Sequence, residues 1–547
     1  MMKKRSRNTL LLLMLSVMLV LSACGSKGNT TAANTGSNTG SNTGSNTGSN
    51  TSNGDAPKGG IAVYSVNSDV MTFWDPSDSF SNEIIAMHNM YETLLRYNAQ
   101  TKTFDKVLAE DYSKSADGLT WTFKLRKGIK FHTGAELSAD LVKKSIERTI
   151  KRGKGASYIW ESVKEINVVD QYTVEFKLKY AEALDNVVSA GYSAFIFDAD
   201  ALDKNGEDWI NQGHDVGSGP YTVQKWTKGS DLVLTSYPEY WKGWTPKNFE
   251  KVVFKTTPEA NTRQQQLEAG EVDITNQLTP EMLKSLDGKP GVQVLKTEAF
   301  QNLTLQMNTL KAPFNNPKAR QALAYALNYD SIVKDIMGGM AEQSTGYLPK
   351  GLWGQDSSLF KYSYNPDKAK ELLKEAGVSG GKLSITYLSG DEAERQVAEL
   401  LKVELAKVGL DLEIKGMTWD AQWDLAKSPD ASQRQDLFLL YYWSGYSDPY
   451  GYLSIAYKTE NPIVYNLGYY SNPKFDSLID QARKSAGSNR DGATALYKQA
   501  QEILINDAPG ISIFDLKYGY ALRDNFKGFS SNPYYANVVF FYDTYRE

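Results

Sequence analysis

Leu383 to Leu388 and Leu410 to Ile414 read as two strands, and Glu392 to Val408 between them reads as a helix. That helix carries Ala398, Leu401, Leu405 and Val408 in line, the spacing of one inward-packing face. Strand, helix and strand joined by short connections form a right-handed crossover, which sets its strands parallel. Parallel strands need helices on their faces, so this unit makes the chain α/β. Asn365, Pro366 and Gly377 mark the cap, first turn and stop of a further helix just ahead of it.

Shorter signals agree. Ile61 to Val66, Thr120 to Leu125 and Lys251 to Thr256 read as strands, and Asn167 to Leu178 as two strands turning at Asp170-Gln171. Helices are expected over Ser81–Leu95, Ala139–Ile150 behind a Ser138 cap, Phe314–Tyr329 and Ala493–Asp507. With 41% apolar and 23% charged residues, the chain can bury more than one lobe of mixed sheet.

The N-terminus is an address. Lys3, Lys4, Arg5 and Arg7 precede an apolar run, Leu10 to Leu21, that is short for a bilayer span. Leu21-Ser22-Ala23-Cys24 then resembles a bacterial lipobox, with Cys24, the only cysteine, at the lipidation position. Residues 1–23 are therefore expected to be a lipoprotein signal peptide, whose loss takes the formal charge from −4 to −8. Residues 24–56 form a tether, with four GSNT copies from Gly36 to Thr51. Such a composition cannot bury a core, and at its length it reaches roughly 30 Å. An extracytoplasmic body anchored through Cys24 follows, and the long tether favours a Gram-positive surface over the periplasm.

Catalytic signatures are missing. There is no HExxH, no GxSxG elbow and no GxxxxGK[ST] loop. Gly217-Ser218-Gly219-Pro220 lacks a lysine and reads as a tight turn. The lone cysteine and three histidines (His88, His132, His214) exclude a thiolate zinc cluster, and the histidines read as structural. Balanced charge, 60 Lys+Arg against 64 Asp+Glu, argues against nucleic acid. A binding protein without catalytic centre, metal or cofactor is expected, its ligand in a cleft at the carboxyl ends of strands.

A series of segments then carries a resemblance. They are Tyr91–Leu95, Leu108–Glu110, Ser115–Arg126, Gly128–Gly134, Gly217–Tyr221, Leu267–Ile274, Asn308 to Leu323, Tyr364 to Gly377 and Tyr442 to Pro449. In this order they resemble the extracellular solute-binding proteins of family 5, the oligopeptide, dipeptide and nickel type that feeds ABC importers. The resemblance covers essentially the whole body. It implies a type II periplasmic-binding-protein-like fold of two α/β lobes with an extra domain inserted in lobe one. Lobe one would take residues 57–97, 206–300 and 511–547, the inserted domain 98–205, and lobe two 301–510. Crossings near 300 and 511 would be the hinge, and the closed form would dock on permease subunits.

Peptide-binding relatives fix the ligand's α-amine with an Asp three residues after the Trp of the late segment. Here that run is Trp443-Ser444-Gly445-Tyr446-Ser447-Asp448-Pro449, so Tyr446 stands in that place. The resemblance puts Phe80, Ser81, Asn82, Trp419, Trp443, Ser444, Gly445 and Tyr446 at the ligand. Oligopeptides are the expected ligand. The absent carboxylate keeps oligosaccharides open, with Trp353, Trp419, Trp443, Tyr441 and Tyr446 as platforms, and a nickel chelate behind them. A surface peptide sensor or chaperone without import is the alternative role.

Overall fold

The computed structural model describes residues 57–547 except 444, 445 and 447; the signal segment, Cys24 and the GSNT tether lie outside the described residues. The chain enters on β1 (Ile61–Val66) and α1 (Ile84–Met90). α1 is shorter than the expected Ser81–Leu95 helix. Tyr91 is already extended (φ −121°, ψ 152°), and Leu95 opens a short strand. The cause is tertiary. The Met90 carbonyl accepts the Gly219 N–H at 2.8 Å. A Cβ at Gly217 would stand 2.0 Å from that same oxygen. The Gly217–Pro220 segment thus needs its glycines to lie against the end of α1.

Next come β2 (Ala109–Lys114), β3 (Thr120–Leu125), α2 (Ala139–Arg152), β4 (Val163–Asp170) and β5 (Thr173–Leu178). Their strands form a separate antiparallel sheet in the order β2-β3-β5-β4. Ser138 caps α2 by accepting the Leu141 N–H at 3.3 Å, and Gly153 ends it at φ +62°. Ser138→Ala is expected to cost about 1 kcal/mol, read as a lower urea midpoint at unchanged slope.

The chain then builds one large sheet. β6 (Tyr221–Thr227), β7 (Asp231–Ser236), β8 (Lys251–Thr256), β9 (Ile274–Asn276) and β10 (Val292–Met307) come first. α3 (Pro366–Glu375), β11 (Gly381–Leu388), α4 (Glu392–Lys407) and β12 (Leu410–Met417) follow. Asn365 caps α3, and β11 pairs parallel with β12 from Gly381↔Leu410 to Leu388↔Met417, as the crossover requires. Leu383, Ile385, Val397, Leu401, Leu405 and Leu412 bury their side chains together there. α5 (Trp419–Ala426), β13 (Leu437–Tyr442), α6 (Pro449–Tyr457), α7 (Pro473–Ser485) and β14 (Gly510–Arg523) complete the path. The other two expected helices are Pro317–Ala326 and Arg490–Asp507.

The sheet order is β12-β11-β13-β10-β14-β9-β1-β8-β7-β6. The long antiparallel pair β10–β14 therefore joins the β11–β13 half to the β1–β9 half. Their register breaks between Glu298 and Asn302, near the middle of β10.

Candidate functional site

α5 presents three side chains one turn apart. Thr418 caps it by accepting the Ala421 N–H at 3.4 Å, and Trp419, Trp423 and Lys427 follow at i, i+4 and i+8. The two indoles lie 5.4 Å apart, and the Lys427 ammonium sits 4.9 Å from the Trp423 ring. β13 delivers Tyr441 and Tyr442, with Trp443 just beyond its carboxyl end. Asp448 caps α6 by accepting the Tyr450 N–H at 2.9 Å, which fixes Tyr450 and Ser454. Phe80, Tyr158 and Glu161 arrive from the first third of the chain. Together these residues enclose about 350 Å³, within the usual size of a small-ligand site.

Four of the expected ligand residues, Phe80, Trp419, Trp443 and Tyr446, line this cavity. Ser81 and Asn82 do not. The backbone N–H groups of Phe80 and Ser81 turn to the Glu83 carboxylate, and the Asn82 amide donates to Ser68 at 2.9 Å. Ser444 and Gly445 lie outside the described residues. Trp353 stands elsewhere, edge-on to Tyr497 at 5.6 Å and under the Arg490 guanidinium at 4.6 Å.

Charge enters from α7. Arg483 donates to Glu182 at 2.7 Å and to Glu161 at 2.8 Å, and its guanidinium lies 4.4 Å from the Tyr450 ring. The buried Tyr446 hydroxyl donates to the same Glu182 oxygen at 3.3 Å. Thus a carboxylate does stand beside Tyr446, supplied from a distant part of the chain. Burial, with Glu182 nearby, pushes Asp448 up to about 6. Glu161 keeps 64% of its side chain exposed. Lys427 is exposed and has no carboxylate partner among the described residues.

No histidine lines the cavity. His132 contacts Asp215 and the Gly219 carbonyl; burial disfavours its charge, but Asp215 more than offsets this and raises its pKa. Burial holds His88 down at about 3, and His214 stacks on Trp209 at 4.4 Å. Among the described residues no group of three or more His, Cys, Asp or Glu could hold a metal ion.

An aromatic cavity walled by residues far apart in sequence suits the capture of a small ligand. The comparisons agree. A family model described as bacterial extracellular solute-binding proteins, family 5 Middle, matches residues 103–462. The glutathione-binding protein GsiB of Escherichia coli O1:K1 is 30% identical over 86% of this chain and 92% of its own length. The Helicobacter pylori ABC transporter-associated protein DppA, solved with the peptide STSA, superposes with a TM-score of 0.76. It is 27% identical, covering 90% of this chain and 99% of that one. The Bacillus subtilis oligopeptide-binding protein AppA, solved with a nonapeptide, shares the fold at TM-score 0.74 and 21% identity, covering 90% and 100%. The chain belongs to the family 5 extracellular solute-binding proteins, the substrate-binding components of ABC transporters, and has their type II periplasmic-binding-protein fold.

Tyr158, Glu161, Trp423, Lys427, Tyr450 and Arg483 are site residues that motif reading did not supply. For Trp423 and Lys427 a signal was present, their helical spacing from Trp419. For Glu161 and Arg483 there was none, since nothing in sequence joins them.

Proposed function

We propose that this protein captures peptides and hands them to an importer's permease. The carrying observation is a cavity walled by aromatic rings that holds an ammonium, Lys427, seated over the Trp423 ring and without a carboxylate partner among the described residues. Rings accept varied side chains, and a free ammonium suits the carboxylate common to all peptides. GsiB and DppA, by their names and bound ligand, are receptors for glutathione and for a peptide. The Tyr446 position fits this reading, because the Glu161 carboxylate, with 64% of its side chain exposed, lines the same cavity as Tyr446.

Binding is read as closure. Residues 57–97, 206–300 and 511–547 form one lobe, 98–205 an inserted domain and 301–510 the other lobe. The β10–β14 pair bends where its register breaks, and the ligand shifts the population toward the closed form by its higher affinity for it. Cys24 carries the lipid anchor, and the GSNT tether gives the body its reach. Among the described residues no helix is long and apolar enough to cross a membrane.

The test of the carboxylate contact is isothermal titration with a tripeptide and its C-terminal amide. The free acid is expected to bind about tenfold tighter, and Lys427→Ala to abolish that preference. Equal affinity of acid and amide for the unaltered protein contradicts the Lys427 role.

A further inference from the structure

We infer that Glu460, which stands outside the lining of the cavity, is a positioning residue that sets the cavity's preference for large apolar side chains, an inference that rests on the peptide reading above. Glu460 lies in the connection between α6 and α7, where Lys458 to Asn472 belong to no helix or strand. One of its carboxylate oxygens accepts three consecutive backbone N–H groups, those of Val464 and Tyr465 at 2.8 Å and of Asn466 at 2.9 Å. The carboxylate thus supplies the acceptor that regular structure would otherwise give these donors. Successive N–H groups gathered on an anionic oxygen form a charge-assisted clasp, and here it fixes the path of the chain.

The rest of the loop closes on the same residues. The Asn466 amide donates to the Lys458 carbonyl at 2.9 Å, and the Thr459 N–H donates to Asp476 on α7 at 3.1 Å. The Tyr442 hydroxyl donates to the Tyr465 carbonyl at 3.2 Å, so Tyr465 is held through its N–H by Glu460 and through its C=O by β13. Its ring meets Trp423 edge-on at 5.9 Å. Val464 and Tyr465 both line the cavity, yet they stay 41% and 39% exposed. A ligand side chain covers that open apolar surface, and the gain grows with the apolar area removed from water. A large apolar side chain gains much from this wall and a methyl group gains little. By holding the wall in place, Glu460 sorts peptides by the size of their apolar side chains.

The test is titration of trileucine and trialanine into the chain from Gly25 onward, unaltered and as Glu460→Ala, Glu460→Gln and Tyr465→Ala. Thermal melts establish that each variant is folded, and Tyr465→Ala, at an exposed position, decides the matter should Glu460→Ala fail to fold. Trileucine is expected to bind the unaltered protein about tenfold tighter than trialanine. Glu460→Ala and Tyr465→Ala are each expected to cut that ratio about fivefold, through weaker trileucine binding. Glu460→Gln, whose amide oxygen still accepts the three N–H groups, is expected to keep most of it. A ratio unchanged in Glu460→Ala or in Tyr465→Ala overturns the role of Glu460 while leaving peptide binding intact, and so does a ratio in Glu460→Gln no higher than in Glu460→Ala. Failure of both peptides to bind the unaltered protein overturns the peptide reading and the role of Glu460 with it.

Discussion

Arg483→Met will destabilise the folded body by about 3–5 kcal/mol, the range for removing one partner of a buried ion pair. The Arg483 side chain is 8% exposed and that of Glu182 2%. Without Arg483, Glu182 keeps only the Tyr446 hydroxyl at 3.3 Å, with one carboxylate oxygen already lacking a partner. Asp448 bonds to Asn186 at 3.2 Å close by, and Glu182 already raises its pKa. Urea unfolding reads the loss directly. The double variant Arg483→Met with Glu182→Gln should recover much of it, because the stranded charge is then gone. A double variant no better than the single one would show that Arg483 acts through packing against Tyr450 and Tyr180 instead.

The same cluster fixes a pH dependence. Burial is the first cause of the Asp448 shift and Glu182 the second, and the folded value is about 6. The unfolded value is the ordinary carboxylate one, about 3.9. A group raised on folding contributes stability fully below its unfolded pKa and loses it as pH rises through the folded one. The unaltered protein should therefore gain stability relative to Asp448→Asn as pH falls from neutrality through about 6 toward 4. Asparagine still caps α6, so the comparison isolates the charge. Parallel stability curves for the two proteins across that window would contradict the assignment.

Trp419→Ala is expected to weaken peptide binding about 30-fold while leaving the unfolding midpoint in place. Trp419 is 38% exposed, so its removal opens no hole in the core. It lines the cavity and meets Trp423 at 5.4 Å, and an aromatic platform of that kind carries a large share of binding energy. Loss of stability without loss of affinity would make it a packing residue.

The fold was legible where local pattern and tertiary need coincide. The alternation in Leu383–Leu388 and the stripe on α4 led to a parallel pair, and the structure pairs β11 with β12 in parallel through Leu388↔Met417. The Ser81–Leu95 helix was misread because its apolar spacing continues past Met90, whereas the chain is turned out there by the Gly217–Pro220 segment. At the site, Phe80, Trp419, Trp443 and Tyr446 came from motif position, and the fold gathers them at one cavity. The Glu161–Arg483–Glu182 cluster was not legible. Arg483 lies 301 residues from Glu182 and 322 from Glu161, and each alone is an ordinary charge. Tyr446 shows both sides. The missing carboxylate was visible in the sequence, and the one that stands behind it was visible only in the fold.

Native mass spectrometry of the chain from Gly25 onward, followed by denaturing analysis of whatever co-purifies, tests peptide capture most directly. A ladder of peptide masses, released on unfolding, is the predicted result. A single sugar mass, or an empty protein that tri- to hexapeptides fail to stabilise thermally, would contradict it.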